Sequence, residues 1–561
     1  MKDKRFQIII PMSGYGERFR KAGYKIPKPL IKVEGKPIIA HVIDMFPGES
    51  EFIFICNKDH LEDDTYRMQE IIEKYCSSPK IIPIEPHKLG PVHAVLQAKN
   101  WIDLSKETIV NYCDFSCYWD WEFFKSFVKR NNCEGAIPAY KGFHPHSLGT
   151  TNYAYIRENS GIAQDIQEKQ PFTSNRMEEY ASSGTYYYSS GKLMVESFEF
   201  LIKEDMNLNG EFYVSLSYKY FFRNDLKVCV FPLQHFMQWG TPEDLHEYNL
   251  WSNLFHNYTS YTKHEKLFNN SLIMPMAGLG KRFSDEGYQE TKPLIKVSGL
   301  PMVIQAINDL PPSEHHVLVL RSDMKDYKKI IDLTKETYEN PTFSILESVT
   351  DGQATSAKIG LDELTKFNNT KGDWITFGAC DNGVLYDQSK LLRLIEDDSC
   401  DIIVWTFRGH SNAIRSPNMY GWIDVNKNNL VEKVSVKKPL SNPSKDPIII
   451  GTFSFKNKDI FYKVYEELIK TDSKINGEFY LDSCIDQALK LNLKCVIFEV
   501  DNFVSWGTPN ELRTFEYWQS CFHKWESHPY SINKDKRIPV HERNALEKEF
   551  RNFNFQERFS N

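Results

Sequence analysis

The 561-residue sequence lacks any long apolar run and any excess of basic charge, and each absence excludes a class of protein. No stretch approaches the roughly 18 apolar residues of a membrane-spanning helix, and the run 8–10 is too short for a signal-peptide core. Lys plus Arg total 68 against 75 Asp plus Glu, so the net charge of −7 favours neither nucleic acid nor an anionic membrane. We therefore expect a cytoplasmic protein with no nucleic-acid partner and no membrane insertion.

The 11 cysteines include no C-x-x-C pair. Cys113 and Cys117 stand beside no histidine cluster, so we expect reduced, buried thiols and no zinc site. Hydrophobic residues make up 41% and charged residues 25% of the chain, which is typical of globular proteins. At about 100 to 200 residues per domain, the length predicts several domains.

An internal repeat determines the predicted domain organisation. Residues 8–37 match residues 272–301 at 17 of 30 positions, and the later sequences N-G-E-F-Y and W-G-T-P also recur. Two homologous domains of equal length explain this pattern. The predicted organisation is domain 1 at 1–255, a linker at 256–267, domain 2 at 268–522, and a C-terminal surface extension at 523–561.

Within each copy, short apolar runs alternate with amphipathic stretches, which predicts an α/β fold with a mainly parallel sheet and a mixed extension. In the first copy the expected strands are 6–10, 52–56, 80–84, 108–113 and 135–139, followed by 153–156, 184–188 and 228–231. The expected helices include 37–46, 65–76, 92–101 and 118–130.

The first strand of each copy ends in a glycine turn that can direct backbone N–H groups toward an anion. The third glycine of a dinucleotide fingerprint and the G-K-[ST] of a Walker loop are both missing, and a G-x-G turn alone is also compatible with a purely structural role. Two cations follow each turn, Arg18 and Lys28 in the first copy and Arg282 and Lys292 in the second. Two cations beside one glycine turn, in both copies, are suited to a triphosphate.

At these residues the sequence resembles the sugar-phosphate nucleotidyltransferases, whose pattern is roughly G-x-G-x-R followed by P-K-P. The resemblance covers about 500 of the 561 residues, in two copies, and is strongest to the branch that serves bacterial capsule and surface polysaccharides. It implies two tandem GT-A-like (Rossmann-like) domains that transfer NMP from an NTP to a small phosphorylated acceptor and release pyrophosphate. Mg²⁺ is the implied cofactor, and the sequence is compatible with an oligomer.

The resemblance also implies roles for individual residues. The implied catalytic cations are Arg18, Lys28, Lys169, Arg282, Lys292 and Lys437. The implied nucleotide-binding residues are Met12, Ser13, Gly14, Gly16, Gly90, Met276, Ala277, Gly278, Gly280 and Gly352. The implied acceptor-binding residues are Glu168, Glu211 and Glu478, and the implied metal ligands are Asp114 and Asp381.

Other interpretations of these acids remain open from the sequence. Asp114 is also compatible with capping the helix expected at 118–130, and Glu211 and Glu478 with capping roles of their own. The second metal aspartate of the thymidylyl branch is replaced by Gln238 and Ser505, so either water or another acid completes the metal shell.

Three functions fit the sequence. A tandem enzyme with two working sites is favoured over an enzyme in which one copy is active and the other copy is regulatory or structural. A GT-A glycosyltransferase is disfavoured because neither copy has a D-x-D motif. A preference for CTP or another pyrimidine nucleotide rests on family analogy alone. We expect the copies to use different acceptors, because Glu168 aligns with Val436 and His93 with Thr355 while the phosphate-binding residues are kept.

Overall fold

A computed structural model describes residues 6–150, 152–367 and 373–551. The chain forms two compact units. Unit 1 contains Met1–Asn253 and Ser520–Pro529, and unit 2 contains Leu254–Gln519 and Tyr530–Arg551. Within the described ranges, no helix is both long enough and apolar enough to span a bilayer.

Unit 1 contains fourteen strands among its described residues. They are β1 (Gln7–Met12), β2 (Lys32–Val33), β3 (Lys36–Pro37), β4 (Glu51–Asn57), β5 (Lys80–Ile84), β6 (Thr108–Asn111), β7 (Phe115–Tyr118), β8 (Gly135–Tyr140), β9 (Ala154–Asn159), β10 (Ile162–Glu168), β11 (Tyr180–Ser182), β12 (Thr185–Tyr188), β13 (Val228–Pro232) and β14 (His235–Gln238). The helices are α1 (Glu17–Lys21), α2 (Ile38–Asp44), α3 (Lys58–Glu62), α4 (Met68–Tyr75), α5 (Pro91–Gln97), α6 (Trp121–Arg130), α7 (Gly191–Lys203), α8 (Tyr218–Arg223) and α9 (Pro242–Ser260).

Ten of these strands form one mixed sheet in the order β11-β9-β10-β13-β8-β12-β6-β1-β4-β5. Strands β5, β4, β1 and β6 pair in parallel, and every residue of β1 is buried, as expected for a strand covered on both faces. The core beside the sheet includes Ile9, Ile53 and Val110. Because β1 and β6 are parallel neighbours, the glycine turn after β1 and Asp114 after β6 lie at the same edge of the sheet.

Unit 2 has its own mixed sheet, whose main strand order is β19-β18-β15-β20-β25-β22-β26, with β23 and β24 joined through β25. Its strands are β15 (Asn270–Pro275), β16 (Lys296–Val297), β17 (Leu300–Pro301), β18 (His315–Arg321), β19 (Thr342–Leu346), β20 (Trp374–Phe377), β21 (Asn382–Leu385), β22 (Ile402–Phe407), β23 (Gly421–Val425), β24 (Val431–Val436), β25 (Ile448–Phe455), β26 (Cys495–Glu499) and β27 (Asn502–Ser505). The helices are α10 (Lys281–Asp285), α11 (Met302–Asp309), α12 (Tyr327–Thr337), α13 (Gln353–Phe367), α14 (Gln388–Ile395), α15 (Ser411–Arg415), α16 (Lys458–Lys470), α17 (Leu481–Lys490), α18 (Pro509–Lys524) and α19 (Val540–Arg551).

The expected α/β class is confirmed, but the sheets are more mixed than a mainly parallel sheet. In unit 1, β12 runs antiparallel to both of its neighbours, and β9, β10 and β11 also pair antiparallel. The helix expected at 118–130 begins only at Trp121, because residues up to Tyr118 form β7 and pair with β14. That pairing joins segments about 120 residues apart, which local periodicity does not reveal.

The C-terminal residues differ from the expected surface extension. Ser520–Pro529 clusters with unit 1, and Tyr530–Arg551 clusters with unit 2. In the latter segment Tyr530 and Ile538 are buried, and the buried Arg537 donates to Asp309 at 3.2 Å. Residues 552–561 of the expected extension lie outside the described residues.

One pair of cysteines departs from the expectation of reduced thiols. Cys133, which lies just before β8, forms a disulfide with Cys229, which lies within β13. These two strands are parallel neighbours, and their register places Cys229 opposite Ala136. The other nine cysteines are free, as expected.

Gly352 marks a close approach between two backbone segments of unit 2. The Phe479 amide donates to the Asp351 carbonyl at 2.8 Å, and the Ala354 amide donates to the Phe479 carbonyl at 2.9 Å. Gly352 has φ +141°, and a Cβ added there would collide with the Phe479 backbone. The N-G-E-F-Y segment is therefore docked on this glycine turn.

We predict that Gly352→Ala destabilises the protein by about 3 kcal/mol or more, since a strained φ and a backbone collision add. Gly287→Ala is the matched control, because Gly287 also has positive φ but no neighbour within 4 Å. It should cost only about 1 to 2 kcal/mol. Urea unfolding of both variants measures the difference, and equal losses would contradict the docking interpretation.

Candidate functional site

The glycine turn of unit 1 joins β1 to the short helix α1. Gly16 adopts the left-handed conformation, with φ +63°, immediately before α1 begins. A Cβ at Gly14 would meet nothing within 4 Å, so that glycine leaves the turn open to a ligand. Met12 and Ser13 are buried where the strand ends.

Lys28 and Asp114 form an ion pair beside this turn. Lys28 begins a short 3-10 helix, and its Nζ lies 2.7 Å from Asp114 Oδ2. Burial would lower the pKa of Lys28, but the Asp114 carboxylate outweighs this effect and the pKa is raised. The ammonium therefore keeps its charge. Arg18 is exposed on α1 and faces the same cavity.

The W-G-T-P segment fixes the position of Asp114. The Trp239 amide donates to the Asp114 carbonyl at 2.8 Å. A Cβ added to Gly240 would lie 3.2 Å from Asp114 Oδ2, so the glycine allows the carboxylate to approach closely. Asp114 does not cap a helix, because the side chain that caps α6 is Asp120.

A cavity of about 540 Å³ unites most of the residues predicted for the first copy. Its lining includes nine of them: Met12, Ser13, Gly14, Gly16, Arg18, Lys28, Gly90, Asp114 and Glu211. The lining also includes His87, Tyr112 and Tyr213, which sequence reasoning missed. The cavity thus combines backbone amides, carboxylates and the cations of Arg18, Lys28 and Lys88 at one sheet edge.

Lys169 reaches this cavity through Tyr213. Its Nζ donates to the Tyr213 hydroxyl at 2.6 Å and lies 4.4 Å from the centre of that ring. The Tyr213 hydroxyl in turn donates to Glu211 Oε2 at 2.5 Å. Glu211 does not cap the short 3-10 helix at Val214–Ser217, because that helix has no side-chain cap. Lys169 has φ +58°, a conformation uncommon for a residue with a side chain.

Glu168 points to a different partner from its neighbour Lys169. Its Oε2 accepts from Ser215 Oγ at 2.5 Å. Burial raises the pKa of Glu168, and the Ser215 hydroxyl and Lys169 reverse part of that effect. A half-buried carboxylate and a lysine therefore stand side by side next to the cavity.

Unit 2 places its own predicted residues in a similar arrangement. Gly280 has φ +64° before α10, Arg282 is exposed on that helix, and Met276 and Ala277 are buried beside the open Gly278. Lys292 Nζ forms an ion pair with Asp381 Oδ2. The Trp506 amide donates to the Asp381 carbonyl at 2.7 Å. The pKa of Lys292 is raised because Asp381 outweighs burial.

Lys437 has φ +55° and lies 4.7 Å from the centre of the Tyr480 ring. Glu478 is exposed, and its backbone N–H and C=O form hydrogen bonds with the backbone of Ile475. Helix α17 has Tyr480 as its N-terminal boundary residue and no side-chain cap, so the capping interpretation of Glu478 is wrong. The structure thus brings Lys437 to the docked segment, while Glu478 remains at the surface.

Two residues of unit 2 were not found from the sequence. Arg321 is buried at the end of β18, and its Nη1 donates to the carbonyls of Ala277 and Gly278 at 2.6 and 2.7 Å. Asn57 occupies the corresponding strand end of unit 1 and instead caps α3. Arg321 therefore fixes the glycine turn of unit 2 alone. A side chain reaching back to a turn 43 residues earlier leaves no local sequence signal.

Glu511 is the second residue, and its carboxylate lies near that of Asp381. A Cβ added to Gly507 would lie 3.1 Å from Asp381 Oδ2 and 3.4 Å from Glu511 Oε2, so the two carboxylates converge. In unit 1 the corresponding acid is Asp244, which accepts from Gln238 and Thr241. Burial raises the pKa of Asp244 to about 6.

The fold and the site together define an α/β protein in which cations lie beside a glycine turn at the edge of a mixed sheet. Residues 7–250 match the family model described as nucleotidyl transferase. The bifunctional protein GlmU of Methanococcus maripaludis is 38% identical over 168 residues, 30% of this chain and 37% of that protein. Mannose-1-phosphate guanyltransferase beta-A of Xenopus laevis is 25% identical over 188 residues, 33% of this chain and 51% of that protein.

The chain thus spans between about a third and a half of the length of these curated relatives. Among solved structures, the inositol-1-phosphate CTP transferase of T. maritima is 15% identical, with a TM-score of 0.35. That alignment covers 46% of this chain and 96% of the T. maritima chain.

We predict that Arg321→Met loosens the glycine turn of unit 2, because the carbonyls of Ala277 and Gly278 lose a charged donor. Hydrogen exchange of peptides covering 276–280 should accelerate by about tenfold or more. Lys325→Met is the control, since that exposed lysine donates to the Gln289 carbonyl, outside the glycine turn. Unchanged exchange in Arg321→Met would show that the turn is rigid without this side chain.

Proposed function

We propose that the chain transfers a nucleotidyl group from an NTP to a small sugar or polyol phosphate and releases pyrophosphate. The observation that carries this proposal is the cavity of unit 1, where a glycine turn, Arg18 and the Lys28–Asp114 pair meet. The match of residues 7–250 to the nucleotidyl transferase family supports the reaction class. Surface-polysaccharide precursor synthesis and a preference for CTP or another pyrimidine nucleotide remain proposals from the resemblance.

The reaction requires positioning and charge neutralisation rather than a nucleophilic side chain. An acceptor phosphate oxygen attacks the α-phosphorus in line with the departing pyrophosphate. Arg18 and Lys28 would bind the triphosphate and offset the charge that develops on the leaving group. Lys169, across the cavity beside Tyr213, would bind the acceptor phosphate.

The acids of the site fit a magnesium ion, which would hold the α-phosphate and offset its charge. Asp114 and Asp381 offer the hard oxygen ligands that Mg²⁺ prefers. Among the described residues, no cluster of three or more ligand-bearing side chains includes either acid. Water and phosphate oxygens would therefore complete the shell, and Glu511, whose carboxylate also approaches Gly507, would contribute in unit 2.

We propose that both units are active. Unit 2 keeps the glycine turn, the lysine–aspartate pair and the acceptor lysine in its own fold. Drift in an inactive copy would be expected to damage these groups, yet the replacements fall nearer the acceptor. Because Ser520–Pro529 clusters with unit 1, a cut near residue 257 would remove that segment. Full-length variants are therefore the better way to test each unit.

We expect Mg²⁺-dependent release of pyrophosphate when the protein is incubated with an NTP and a phosphomonoester, because the metal and the cations neutralise the leaving group. The measurement is a pyrophosphate assay with four NTPs against sugar and polyol phosphates, with and without EDTA. Transfer of sugar from a nucleotide sugar, with NTPs left intact, would instead identify a glycosyltransferase.

We further expect Lys28→Ala to abolish one activity and Lys292→Ala the other, since each lysine belongs to its own unit. Each loss should be about a hundredfold or more, using about 1.4 kcal/mol per tenfold. Lys32→Ala and Lys296→Ala, at exposed positions nearby, are matched controls that should keep both activities. If one site lysine silences everything and the other nothing, only one copy is catalytic.

A further inference from the structure

The strand pair beside the acceptor lysine differs between the units at positions that face each other. In unit 1, Glu168 on β10 lies opposite Ala154 on β9, and Lys169 follows with its amide donating to the Tyr153 carbonyl at 2.8 Å. In unit 2, Val436 on β24 lies opposite Gly421 on β23. The register therefore makes these two pairs equivalent, independently of the sequence alignment.

The same equivalence holds for the lysine that follows each pair. The Lys437 amide donates to the Tyr420 carbonyl at 3.0 Å, as Lys169 does to Tyr153. Both lysines have positive φ and both lie over a tyrosine ring. The acceptor lysine is thus held in the same way in both units, although the glutamate before it is present only in unit 1.

Unit 2 has a carboxylate at a third position, Asp482. Ser215, which donates to Glu168 in unit 1, corresponds to Asp482 in unit 2, four residues after the glutamate of each N-G-E-F-Y sequence. A Cβ added to Gly421 would collide with the Asp482 carboxylate. At these three positions unit 1 has Ala154, Glu168 and Ser215, whereas unit 2 has Gly421, Val436 and Asp482, and the glycine makes room for the aspartate.

The carboxylates of Glu168 and Asp482 also have similar electrostatic surroundings. Burial raises the pKa of Asp482 to about 6, and Lys437 acts in the opposite direction. Burial raises the pKa of Glu168 too, and Lys169 again opposes it. Each unit thus keeps one half-buried acid within the electrostatic reach of its acceptor lysine.

A purely structural role for Asp482 explains only part of these observations. An acid in the first turn of a helix is favoured by the helix dipole, and Asp482 stands in the first turn of α17. That effect requires neither a glycine opposite the carboxylate nor the burial of its charge, which is unfavourable without a partner. The dipole accounts for an acid at this turn but not for the glycine that makes room for it.

We propose that Asp482 accepts a hydrogen bond from a hydroxyl group of the phosphorylated acceptor bound by Lys437, and that Glu168 has the same role beside Lys169 in unit 1. The inference rests on the proposed nucleotidyl transfer. Because the carboxylate comes from a helix in unit 2 and from a strand in unit 1, the hydroxyl it reaches is different. This relocation makes Asp482 a specificity-determining residue and gives the two units different acceptors.

The packing part of the proposal is tested by a stability cycle in the full-length protein. Gly421→Ala should lower Tm by about 3 to 10 °C, since it pushes a methyl group into the carboxylate. Adding Asp482→Ser should restore Tm, because that pair of residues occurs in unit 1. No loss in the single variant, or no recovery in the double variant, would refute the linked replacement.

The binding part uses calorimetry, so it does not depend on turnover. In a Lys169→Ala background, which removes the acceptor lysine of unit 1, the probes are glucose 1-phosphate, glycerol 3-phosphate and ethyl phosphate. Asp482→Asn should weaken binding of at least one hydroxylated probe by about tenfold to a hundredfold. Affinity for ethyl phosphate, which has no hydroxyl group, should stay within about twofold.

The triple variant Gly421→Ala/Val436→Glu/Asp482→Ser gives unit 2 the residues of unit 1, and it should recover binding with the probe preference of unit 1. Equal effects of Asp482→Asn on all three probes, or no binding of any probe, would overturn the proposal. Failure of the proposed reaction gives a different result, since the probes would then bind but no NTP would release pyrophosphate.

Discussion

The rest of each site depends on the ion pair between a lysine and an aspartate beside the glycine turn. The aspartate follows a buried parallel strand, and a W-G-T-P segment binds its backbone and leaves room for its carboxylate. The lysine stays charged although it is half-buried, because Asp114 outweighs burial. A triphosphate would compete for the lysine, and a divalent cation would compete for the aspartate. The ion pair thus keeps the lysine and the aspartate that would bind these two ligands next to each other.

Much of this arrangement can be predicted from the sequence, for a physical reason. The strands around β1 are buried on both faces, so they appear as short apolar runs, and parallel neighbours bring their carboxyl ends to one edge. Residues that directly follow those strands, such as Gly14 and Asp114, are therefore placed together by topology alone. The repeat adds a second observation of the same pattern, which makes the lysine and arginine after each turn stand out.

What the sequence does not reveal are contacts that depend on register between distant segments. Strand β7 pairs with β14, so the helix expected from 118 begins later. The disulfide between Cys133 and Cys229 depends on β8 and β13 being neighbours. Arg321 reaches back to the carbonyls of another turn. In each case the partner lies far along the chain, and neither periodicity nor motif spacing encodes it.

The same limitation applies to the segment around Lys437 in unit 2, where a carboxylate that the sequence motif lacks is present in the structure. Compared residue by residue, the second copy has lost the glutamate beside its lysine. Compared in space, the carboxylate has moved to Asp482, and Gly421 has made room for it. Random decay would change these positions independently, whereas the Asp482 carboxylate has its place because residue 421 has no side chain. The divergence between the units therefore supports the proposal that unit 2 binds a different ligand rather than none.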